Sequence, residues 1–471
     1  MEDVLIIGGG FAGLTAGVAL SKAGRRVRLL EQRSHLGGRA YSFRDSHTGA
    51  VVDNGQHILM GCYHATLQFL EEIGTSSRVR FQPQLALHFL DRPGRLTALR
   101  CPGLPAPWHL LAGVLASNSF DFRQKLEVLR LEYRGRRARN GSEGKSVDEW
   151  LRSLGQSEAL RRNFWDLLCI AALNEDPRIA SAVLFERVLR LALFSSPGDS
   201  RIGLPRVGLS DCYTQAAATY ITTRGGRVET SRSATELLIS GVRMSRQPRT
   251  PGSEPCLACE GVRVDSGEVI QARAVLSTVP SFQLGRLLPP DLLSSFPAVT
   301  ALRPAPIISI NLWFDRPVTD LDFVGLRGTT LQWLFNKGKI LGSPEGYVSL
   351  VISGAHQHIH RSREELLAIA LRELGDLLPV TRQARLAHSI IIKERFATFS
   401  PRTGAEGLRP ASTTPVRGFY LAGDWTATAL PATIEGAVKS GYTAADAILN
   451  NFGISDFGLR TSCPSSAIRG Q

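Results

Sequence analysis

The first part of the chain constrains the fold more strongly than any other. Residues 4–7 form an apolar run of strand type, and residues 8–13 follow with the pattern G-x-G-x-x-G. Residues 14–23 have helical spacing, and residues 27–30 predict a second strand that ends at Glu31. A strand, a glycine turn, a helix and a second strand closed by an acidic residue are typical of a dinucleotide-binding unit. This stretch therefore predicts a parallel sheet with a dinucleotide site at its edge.

Each glycine of this motif has a separate physical role. Gly8 permits a tight turn, Gly10 lets backbone approach a pyrophosphate, and Gly13 lets helix and strand pack closely. The helix N-terminus then offers N–H groups and a positive dipole end to the phosphates. Glu31 is placed to accept hydrogen bonds from the ribose hydroxyls of adenosine, which argues against a 2′-phosphate. The motif alone leaves both NAD and FAD open.

Size and charge limit the remaining possibilities. A chain of 471 residues can form two or three domains or one large composite domain. Hydrophobic residues make up 43% and charged residues 21%, which indicates a globular protein rather than a disordered one. The net charge of +13 suits an anionic surface, either nucleic acid or a bilayer with acidic lipids. An arginine-rich proteome would give the same excess, so composition alone does not choose.

The cysteines and the N-terminus predict a cytoplasmic protein. Seven scattered cysteines indicate reduced thiols rather than a disulfide framework. Cys256 and Cys259 form a C-x-x-C, but without a second pair we interpret them as strand cysteines. The first strand begins at Val4, so we expect no signal peptide. Residues 101–120 are the longest stretch without acidic or basic side chains, and their prolines make a membrane-spanning helix unfavourable.

Two segments after Glu31 predict further contacts with a cofactor. Gly37 and Gly38 precede Arg39, whose guanidinium fork matches the oxygens of a pyrophosphate. Residues 51–57 predict a short strand that runs into a polar glycine turn, as a chain passing close to a flavin ring would need. His57 in this turn is either an ordinary loop histidine or a group next to the flavin or the substrate.

From residue 71 to about residue 204 the pattern predicts helices. Residues 105–115 are apolar with Trp108 as an aromatic anchor, and residues 123–139 carry seven lysines and arginines against two glutamates. An apolar wedge beside a basic helix suits an interfacial membrane contact that does not span the bilayer. A core segment beside a solvated helix face is the more common meaning of such a pattern, and both interpretations stay open.

The second half of the chain predicts the end of the nucleotide-binding sheet and then a mixed α+β unit that roofs the ligand cavity. Helices are predicted at 206–226 and 363–378, a hairpin at 260–273, and strands at 228–230, 234–238, 274–280, 304–314, 332–335 and 347–352. His356, His358 and His360 would share one face of an extended segment and could bind a metal there. No cysteine is close, so we favour a polar surface and predict no metal site.

A second cofactor segment lies near the far end of the chain. A predicted strand at 418–422 ends in Gly423 and Asp424, which places a carboxylate next to the hydroxyls of a ribityl chain. Residues 431–435 then start a helix whose N-terminus can face a flavin pyrimidine and stabilise negative charge on the reduced ring. Two such segments favour FAD over NAD. The tail from Phe452 on is predicted to be disordered.

At this point the chain resembles a known superfamily, the flavin amine oxidases and phytoene desaturases. The N-terminal glycine motif with Glu31, the Gly37–Arg39 element and residues 423–437 carry this resemblance. Residues 53–61, 168–174, 393–399 and 422–426 are similar to a narrower group, the hydroxysqualene dehydroxylases of bacterial hopanoid pathways. The similarity covers nearly the whole chain except the tail.

The resemblance implies an α/β fold with a discontinuous Rossmann-like FAD-binding domain, an α+β substrate domain and a helical insertion. The implied parts are FAD-binding segments at 1–75, 205–282 and 415–452, a helical insertion with a possible membrane contact at 76–204, a substrate domain at 283–414 and a disordered tail at 453–471. The implied FAD contacts are Gly8, Gly10, Phe11, Ala12, Gly13, Glu31, Gln32, Gly38, Arg39, Gly55, Gln56, Val228 (through its backbone), Gly423, Asp424 and Ile434.

The implied reaction is reduction of hydroxysqualene, a C30 isoprenoid, to squalene by hydride from reduced FAD, with loss of water. His57 is the first candidate for an acid near the hydroxyl, and Glu394 and Arg395 follow it. The implied partners are an anionic membrane surface on the cytoplasmic side and an unidentified donor of electrons to the flavin, but no nucleic acid. A carotenoid desaturase or isomerase is the alternative, and an amine oxidase is disfavoured because no lysine or aromatic pair suited to an amine can be placed.

Overall fold

The computed structural model describes residues 2–137, 141–242, 256–342 and 344–456. Its strands are β1 Glu2–Ile7, β2 Val27–Leu30, β3 Ser42–Arg44, β4 Val51–Asp53, β5 Leu59–Met60, β6 Val79–Phe81, β7 Ala86–Asp91, β8 Arg95–Arg100, β9 Ile202–Pro205, β10 Arg227–Glu229, β11 Ala234–Val242, β12 Cys256–Val264, β13 Val269–Ser277, β14 Pro304–Phe314, β15 Phe323–Leu326, β16 Trp333–Asn336, β17 Tyr347–Ser353, β18 Leu386–Phe399 and β19 Phe419–Leu421. Its α-helices are α1 Phe11–Lys22, α2 His64–Glu72, α3 Trp108–Ala116, α4 Phe122–Arg137, α5 Val147–Ser153, α6 Glu158–Leu160, α7 Asp166–Leu173, α8 Ala182–Leu189, α9 Leu209–Thr222, α10 Ser281–Leu284, α11 Ala298–Ala301, α12 Lys337–Leu341, α13 Arg363–Leu377 and α14 Ile434–Asp456.

A parallel sheet is assembled from three distant stretches of the chain. Its order is β10-β2-β1-β13, with β19 also pairing with β13, and β12 and β11 extend it as antiparallel strands. Alternate residues of β1 face opposite layers, because side chains along a strand have a period of two. Val4 and Ile6 pack in one core with α1, α9 and α14, whereas Leu5 and Ile7 pack in a second core on the other face.

A second sheet lies over the first and has the order β18-β14-β17-β16-β15-β7-β8. Its pairs are antiparallel apart from β15 and β7, which run parallel. One face is covered by α13: Ile308 and Ile310 of β14 share an apolar core with Leu366 and Leu374 of that helix. Ser309 and Asn311, on the other face of β14, are buried as well. The sheet is therefore shielded from water on both faces in this region.

The prediction of helices from residue 71 onward is wrong for residues 79–100 and 202–205. These residues form β6, β7, β8 and β9, and β7 and β8 complete the edge of the second sheet. Leu85, Leu87 and Phe89 are buried at every second position, which is the period of a strand and not that of a helix. The helical part of this region is confined to α3–α8, which share one large apolar core with the second sheet.

Two smaller expectations also need correction. Phe452 is not in a disordered tail, because α14 continues past it and its side chain is buried between the guanidinium groups of Arg25 and Arg273. The rest of the predicted tail, from residue 457, lies outside the described residues. The three histidines are not on an extended strand but in a turn after β17; they are His356, His358 and His360. No helix in the described part of the chain is long and apolar enough to cross a membrane.

Candidate active site

A large cavity opens at the carboxyl ends of β1 and β2, between the two sheets and the helical layer. Its volume is about 1330 Å³, above the range of roughly 300–1,000 Å³ for small-molecule sites. It runs from the glycine motif at one end to apolar side chains of α3, α4, α7 and α8 at the other. The cavity can therefore hold a dinucleotide together with a second, apolar ligand.

Most of the residues predicted to form the site line this cavity. They are Gly8, Gly10, Phe11, Ala12, Glu31, Gln32, Gly38, Arg39, Gly55, Gln56, His57, Glu394, Gly423, Asp424 and Ile434. Gly13 lies just beneath, where a Cβ would come within 2.0 Å of the carbonyl oxygen of Gly8. Helix α1 can approach β1 this closely because residue 13 has no side chain.

Val228 and Arg395 do not line the cavity. Val228 is in β10 and pairs with Leu29 inside the sheet. The wall near Glu31 is formed instead by residues 232–235, which belong to the following loop and the start of β11. The backbone N–H of Arg232 donates to the Glu31 carbonyl oxygen at 2.9 Å, which holds that loop in place. Arg395 is exposed on β18, between cavity-lining Glu394 and Phe396. Because this side chain is exposed and is absent from the cavity wall, its position gives no support to the predicted catalytic role.

Glu31 also organises the glycine motif. Its side chain is buried, and Oε2 accepts a hydrogen bond of 2.8 Å from the backbone N–H of Gly9. Oε1 accepts a second one of 2.9 Å from the backbone N–H of Arg33. At the start of α1, Gly10 is the N-cap, and within the described residues no side chain caps the helix. The first N–H groups of α1 thus remain available to an anionic ligand in the cavity.

The Arg39 guanidinium joins the N-terminal and C-terminal cofactor segments. Nη2 donates to Asp424 Oδ1 at 2.6 Å, and Nη1 donates to the carbonyl oxygen of Ala397 at 2.9 Å. Burial lowers the pKa of Arg39, but Asp424 and Glu394 raise it more, so the group stays charged. Tyr213 of α9 supports the same loop by donating to the carbonyl oxygens of Gly37 and Ala40. A positive charge is therefore fixed where the sequence predicts a pyrophosphate contact.

The C-terminal segment places the start of α14 at the cavity. Gly423 follows β19 with φ +135°, and a Cβ there would lie 2.8 Å from the Trp425 indole. Glu435, in the first turn of α14, accepts hydrogen bonds of 2.9 Å from the backbone N–H groups of Ala65 and Thr66. One carboxylate thus ties the N-termini of α14 and α2 together, and it stabilises both because the dipoles there are positive.

The turn that contains His57 follows a residue of a buried ion pair, and no pattern in the sequence predicts this pair. Lys337 Nζ, at the start of α12, lies 2.7 Å from Asp53 Oδ2, and both side chains are buried. Asp53 Oδ1 also accepts from the backbone N–H of Leu209 and from the Ser42 hydroxyl. Burial lowers the pKa of His57 to about 4; Asp53 raises it and Lys337 lowers it. His57 is therefore neutral near pH 7, and the prediction that it supplies an acid is not supported.

Glu394 lines the cavity close to Asn54 and to the charge of Arg39. Its Oε1 accepts from the backbone N–H of Phe396 at 3.3 Å, and Oε2 lies 3.5 Å from the Asn54 amide nitrogen. Two residues further along β18, Thr398 also lines the cavity and accepts a hydrogen bond of 2.8 Å from Asn174 Nδ2. No local pattern in the sequence marks Thr398 as a site residue.

Asn174 fixes the position of Thr398. It ends α7 in the left-handed conformation, with φ 54°, and its Oδ1 accepts from the backbone N–H of Gly354 at 2.6 Å. Because that oxygen is occupied by a donor, the orientation of the amide is set, and Nδ2 must point toward Thr398 Oγ1 and the carbonyl oxygen of Ala305. A hydroxyl that accepts from Asn174 keeps its own hydrogen for a ligand in the cavity.

The far end of the cavity is an apolar chamber. Its walls are hydrophobic side chains of the helical layer and of the second sheet, namely Leu85, Leu87, Leu99, Leu110, Leu111, Val114, Val128, Leu129, Leu131, Phe164, Trp165, Leu168, Phe185, Val188, Leu189, Phe323, Trp333, Phe335 and Val351. Burial of apolar surface against these walls would favour a long hydrocarbon over a polar ligand.

Comparison with known proteins decides the family. The sequence profile described as "Flavin containing amine oxidoreductase" matches residues 11–449. The chain belongs to this family. A 15-cis-phytoene desaturase from Synechococcus elongatus is 27% identical, with 95% of each chain covered. A hydroxysqualene dehydroxylase from Rhodopseudomonas palustris is 29% identical, over 95% of this chain and 98% of the relative. A solved oxidoreductase from Methanosarcina mazei shares the fold, with a TM-score of 0.73, 18% identity and coverage of 94% and 100%.

Membership of this family confirms the predicted fold class and the choice of FAD over NAD, and the protein is an FAD-dependent oxidoreductase. The resemblance to hydroxysqualene dehydroxylases, read from short motifs, is confirmed by similarity along nearly the whole chain. The geometry fits FAD. The uncapped start of α1 and Arg39 would hold the pyrophosphate, Glu31 the adenosine ribose, and the start of α14 the flavin pyrimidine.

Proposed function

We propose that this chain reduces hydroxysqualene to squalene, as a step in squalene or hopanoid biosynthesis. The observation that carries the proposal is the continuity of one cavity from the FAD end to an apolar chamber. A C30 isoprenoid needs such a chamber, because its hydrocarbon chain gains most of its binding free energy from leaving water. The likeness to several hydroxysqualene dehydroxylases supports this substrate over other hydrocarbons.

In the proposed reaction, the carbon–oxygen bond of an allylic alcohol breaks and a carbon–hydrogen bond forms in its place. Bound reduced FAD supplies the hydride, and the oxygen leaves as water after taking up one proton. The flavin is oxidised, so a separate electron donor must reduce it again before the next turnover. The protein contributes a chamber that excludes water and a few polar groups where the chamber meets the cofactor.

Thr398 and His57 are the groups that would form hydrogen bonds with the hydroxyl group of the substrate. The Thr398 hydroxyl, oriented by Asn174, can donate a hydrogen bond to the oxygen of the substrate. His57 is neutral and can also donate through a ring N–H. We expect Thr398→Val to lower kcat/KM for hydroxysqualene about tenfold, the worth of one lost hydrogen bond, while the visible spectrum of bound FAD stays unchanged. An unaltered kcat/KM in this near-isosteric variant would remove Thr398 from the mechanism.

A desaturase is the second candidate. Desaturation of a hydrocarbon releases a proton as hydride moves to oxidised flavin, and His57, with a pKa of about 4, would be a weak base for that proton. The similarity to a 15-cis-phytoene desaturase is of the same order as the similarity to the dehydroxylases. The two reactions run in opposite redox directions, so they can be separated directly.

One experiment separates these activities. Purified protein is incubated with hydroxysqualene, phytoene or a polyamine, with its FAD either oxidised or photoreduced, and the extracted lipid is analysed. Squalene formed from hydroxysqualene with reduced flavin alone would support the dehydroxylase. Conversion of phytoene with oxidised flavin would support the desaturase instead. Production of hydrogen peroxide during oxidation of the polyamine would contradict both proposals.

We also propose that the protein acts at the cytoplasmic surface of a membrane that carries acidic lipids. Trp108 and Leu115 of α3 and Phe122 and Leu126 of α4 have exposed side chains. We call these four residues the α3–α4 apolar patch. The opposite sides of the same helices line the chamber, through residues such as Leu110 and Val128. A substrate with almost no solubility in water could pass from a bilayer into the chamber along these helices.

A further inference from the structure

A second, smaller cavity lies on the outer side of the chamber, beside the start of α4. It has a volume of about 390 Å³ and is open to solvent. Three arginines contribute to its lining: Arg92 and Arg95 from the β7–β8 turn, and Arg327 from the end of β15. The linker between α3 and α4 supplies Ser119. We call this cavity the arginine pocket.

Arg327 is the most important residue of this pocket, because its charged side chain is buried. Its side chain is 7% exposed, its guanidinium packs 4.1 Å from the centre of the Phe89 ring, and Nη1 lies 3.6 Å from Asp91 Oδ2. Nε and Nη2 have no hydrogen-bond partner within the residues that the structure describes. Burial lowers the pKa of Arg327, Asp91 raises it, and Arg95 lowers it further. A buried cation with two unused N–H groups is unfavourable unless an acceptor occupies the pocket.

A second side chain of the pocket also has a buried polar atom without a hydrogen-bond partner in the described ranges. The hydroxyl oxygen of Ser119 is buried, and across the described ranges it too lacks a partner. Arg327 comes from the second sheet and Ser119 from the helical layer, and both line the arginine pocket. Two side chains with unused donors, from different parts of the fold, therefore line one cavity. Their convergence indicates a ligand that accepts several hydrogen bonds.

The charges around the pocket define that ligand as an anion. The pocket is lined by three guanidinium groups and one carboxylate, that of Asp91. Arg92 Nη2 also lies 3.4 Å from Asp376 Oδ2. The planar N–H fork of arginine matches the oxygens of a phosphate group, and such hydrogen bonds are stronger because both partners are charged. A metal cation or an ammonium group would be repelled by the same set.

The position of the pocket identifies the source of the phosphate. Phe122 and Leu126 of the apolar patch lie two residues before and after the pocket residue Gln124, and they project from the opposite side of α4. In a bilayer the phosphates lie directly above the acyl chains, so a phosphate site about one helix width from exposed apolar side chains fits that order of layers. Phe164 lines both the arginine pocket and the chamber, which places the two one ring apart.

We propose that the arginine pocket binds the phosphate of an acidic phospholipid headgroup and thereby seats the α3–α4 apolar patch on the membrane. This proposal rests on the membrane contact proposed above and adds a specific site to it. It gives the fold one lipid-recognition site next to the chamber, since Phe164 lines both. General attraction of a basic protein to an anionic surface would not depend on an uncharged residue such as Ser119.

The test is co-sedimentation of the FAD-loaded, full-length protein with vesicles of phosphatidylcholine alone or mixed with phosphatidylglycerol. Each arginine at a membrane surface contributes about 1 kcal/mol, a factor of about five in binding, so Arg95→Gln should weaken binding to the mixed vesicles by about that factor. Ser119→Ala leaves the charge unchanged and should weaken it as well. Arg26→Gln is the matched control, because Arg26 is exposed near β2 and should change binding less than about twofold.

Three outcomes would overturn the proposal. If Ser119→Ala and Arg95→Gln bind mixed vesicles as well as Arg26→Gln does, the pocket is not a lipid site, although the membrane contact stands. If inorganic phosphate or glycerol 3-phosphate saturates the pocket in a titration while vesicles do not bind, the ligand is a free phosphate. If the wild type ignores all vesicles, the membrane contact fails too. Turnover of hydroxysqualene in detergent is measured in parallel, so the catalytic proposal is judged separately.

Discussion

At the scale of single residues, the pair between Lys337 and Asp53 has the largest expected effect on stability. Lys337→Met should lower the free energy of unfolding by about 3–5 kcal/mol, because it leaves a buried carboxylate without its partner. Urea unfolding followed by circular dichroism measures this change. Lys339→Met is the control: Lys339 is half exposed, and its pair with Asp322 should contribute at most about 1 kcal/mol. Equal losses in both variants would contradict this account.

His57 gives a prediction about pH. Its pKa is about 4 in the folded protein and about 6.5 in an unfolded chain. Between these values the unfolded state binds the extra proton, so this group destabilises the fold as pH falls from about 6.5 to 4. We therefore expect the free energy of unfolding of the wild type, relative to that of His57→Gln, to decrease as pH falls through this window. Above pH 7 the difference should be constant. Thermal unfolding of both proteins at several pH values measures the difference, and a flat difference would contradict the lowered pKa.

The same two residues show where prediction from sequence stopped. His57 could be placed near the cofactor because Gly55 and the short strand before it form a local pattern. Lys337 could not, because it is 284 residues from Asp53 along the chain and nothing around it signals a buried charge. Thr398 was hidden for the same reason: its orientation depends on Asn174, and that contact exists only after the helical layer has packed against β18.

At the scale of elements, the helical layer shows both the strength and the limit of local patterns. The amphipathic stretch before residue 137 was recognised as a helix, and α4 covers it up to that residue. Residues 138 and 139 of the predicted basic segment lie outside the described residues. Strands β7 and β8 were missed because their role as the edge of a sheet is set by pairing with distant β15. A short apolar run is ambiguous until its partner is known.

The α3–α4 apolar patch makes a prediction for this element. The double variant Trp108→Ser, Phe122→Ser should bind acidic vesicles at least about tenfold more weakly, because each large side chain contributes roughly 1.5–3 kcal/mol when it leaves water. Both side chains are more than half exposed, so the fold itself should be unaffected. Vesicle sedimentation measures the effect. Val269→Ser, an exposed apolar change on β13, is the control; a similar loss there would show that the patch has no special role.

At the scale of the whole molecule, bound FAD would contact segments from both ends of the chain, because both line its cavity. A ligand that binds the folded state alone stabilises it by about 2.7 kcal/mol at one hundred times its dissociation constant. Gly13→Ala should abolish most of this gain, because its Cβ would displace the Gly8 carbonyl and distort the glycine motif. The rise in Tm on adding FAD to flavin-free protein measures the gain. Gly407→Ala, whose Cβ would meet open space, should retain it.

The assembly of the parallel sheet from distant stretches also affects how the protein is made. Strand β1 leaves the ribosome well before two other strands of its sheet, because β13 ends at Ser277 and β19 ends at Leu421. At a synthesis rate of about 5–20 residues per second, β1 waits on the order of tens of seconds for the last of these strands. During that time its apolar residues are exposed to other nascent chains. Production of this enzyme should therefore depend on chaperones and on the supply of flavin while the chain is still being synthesised.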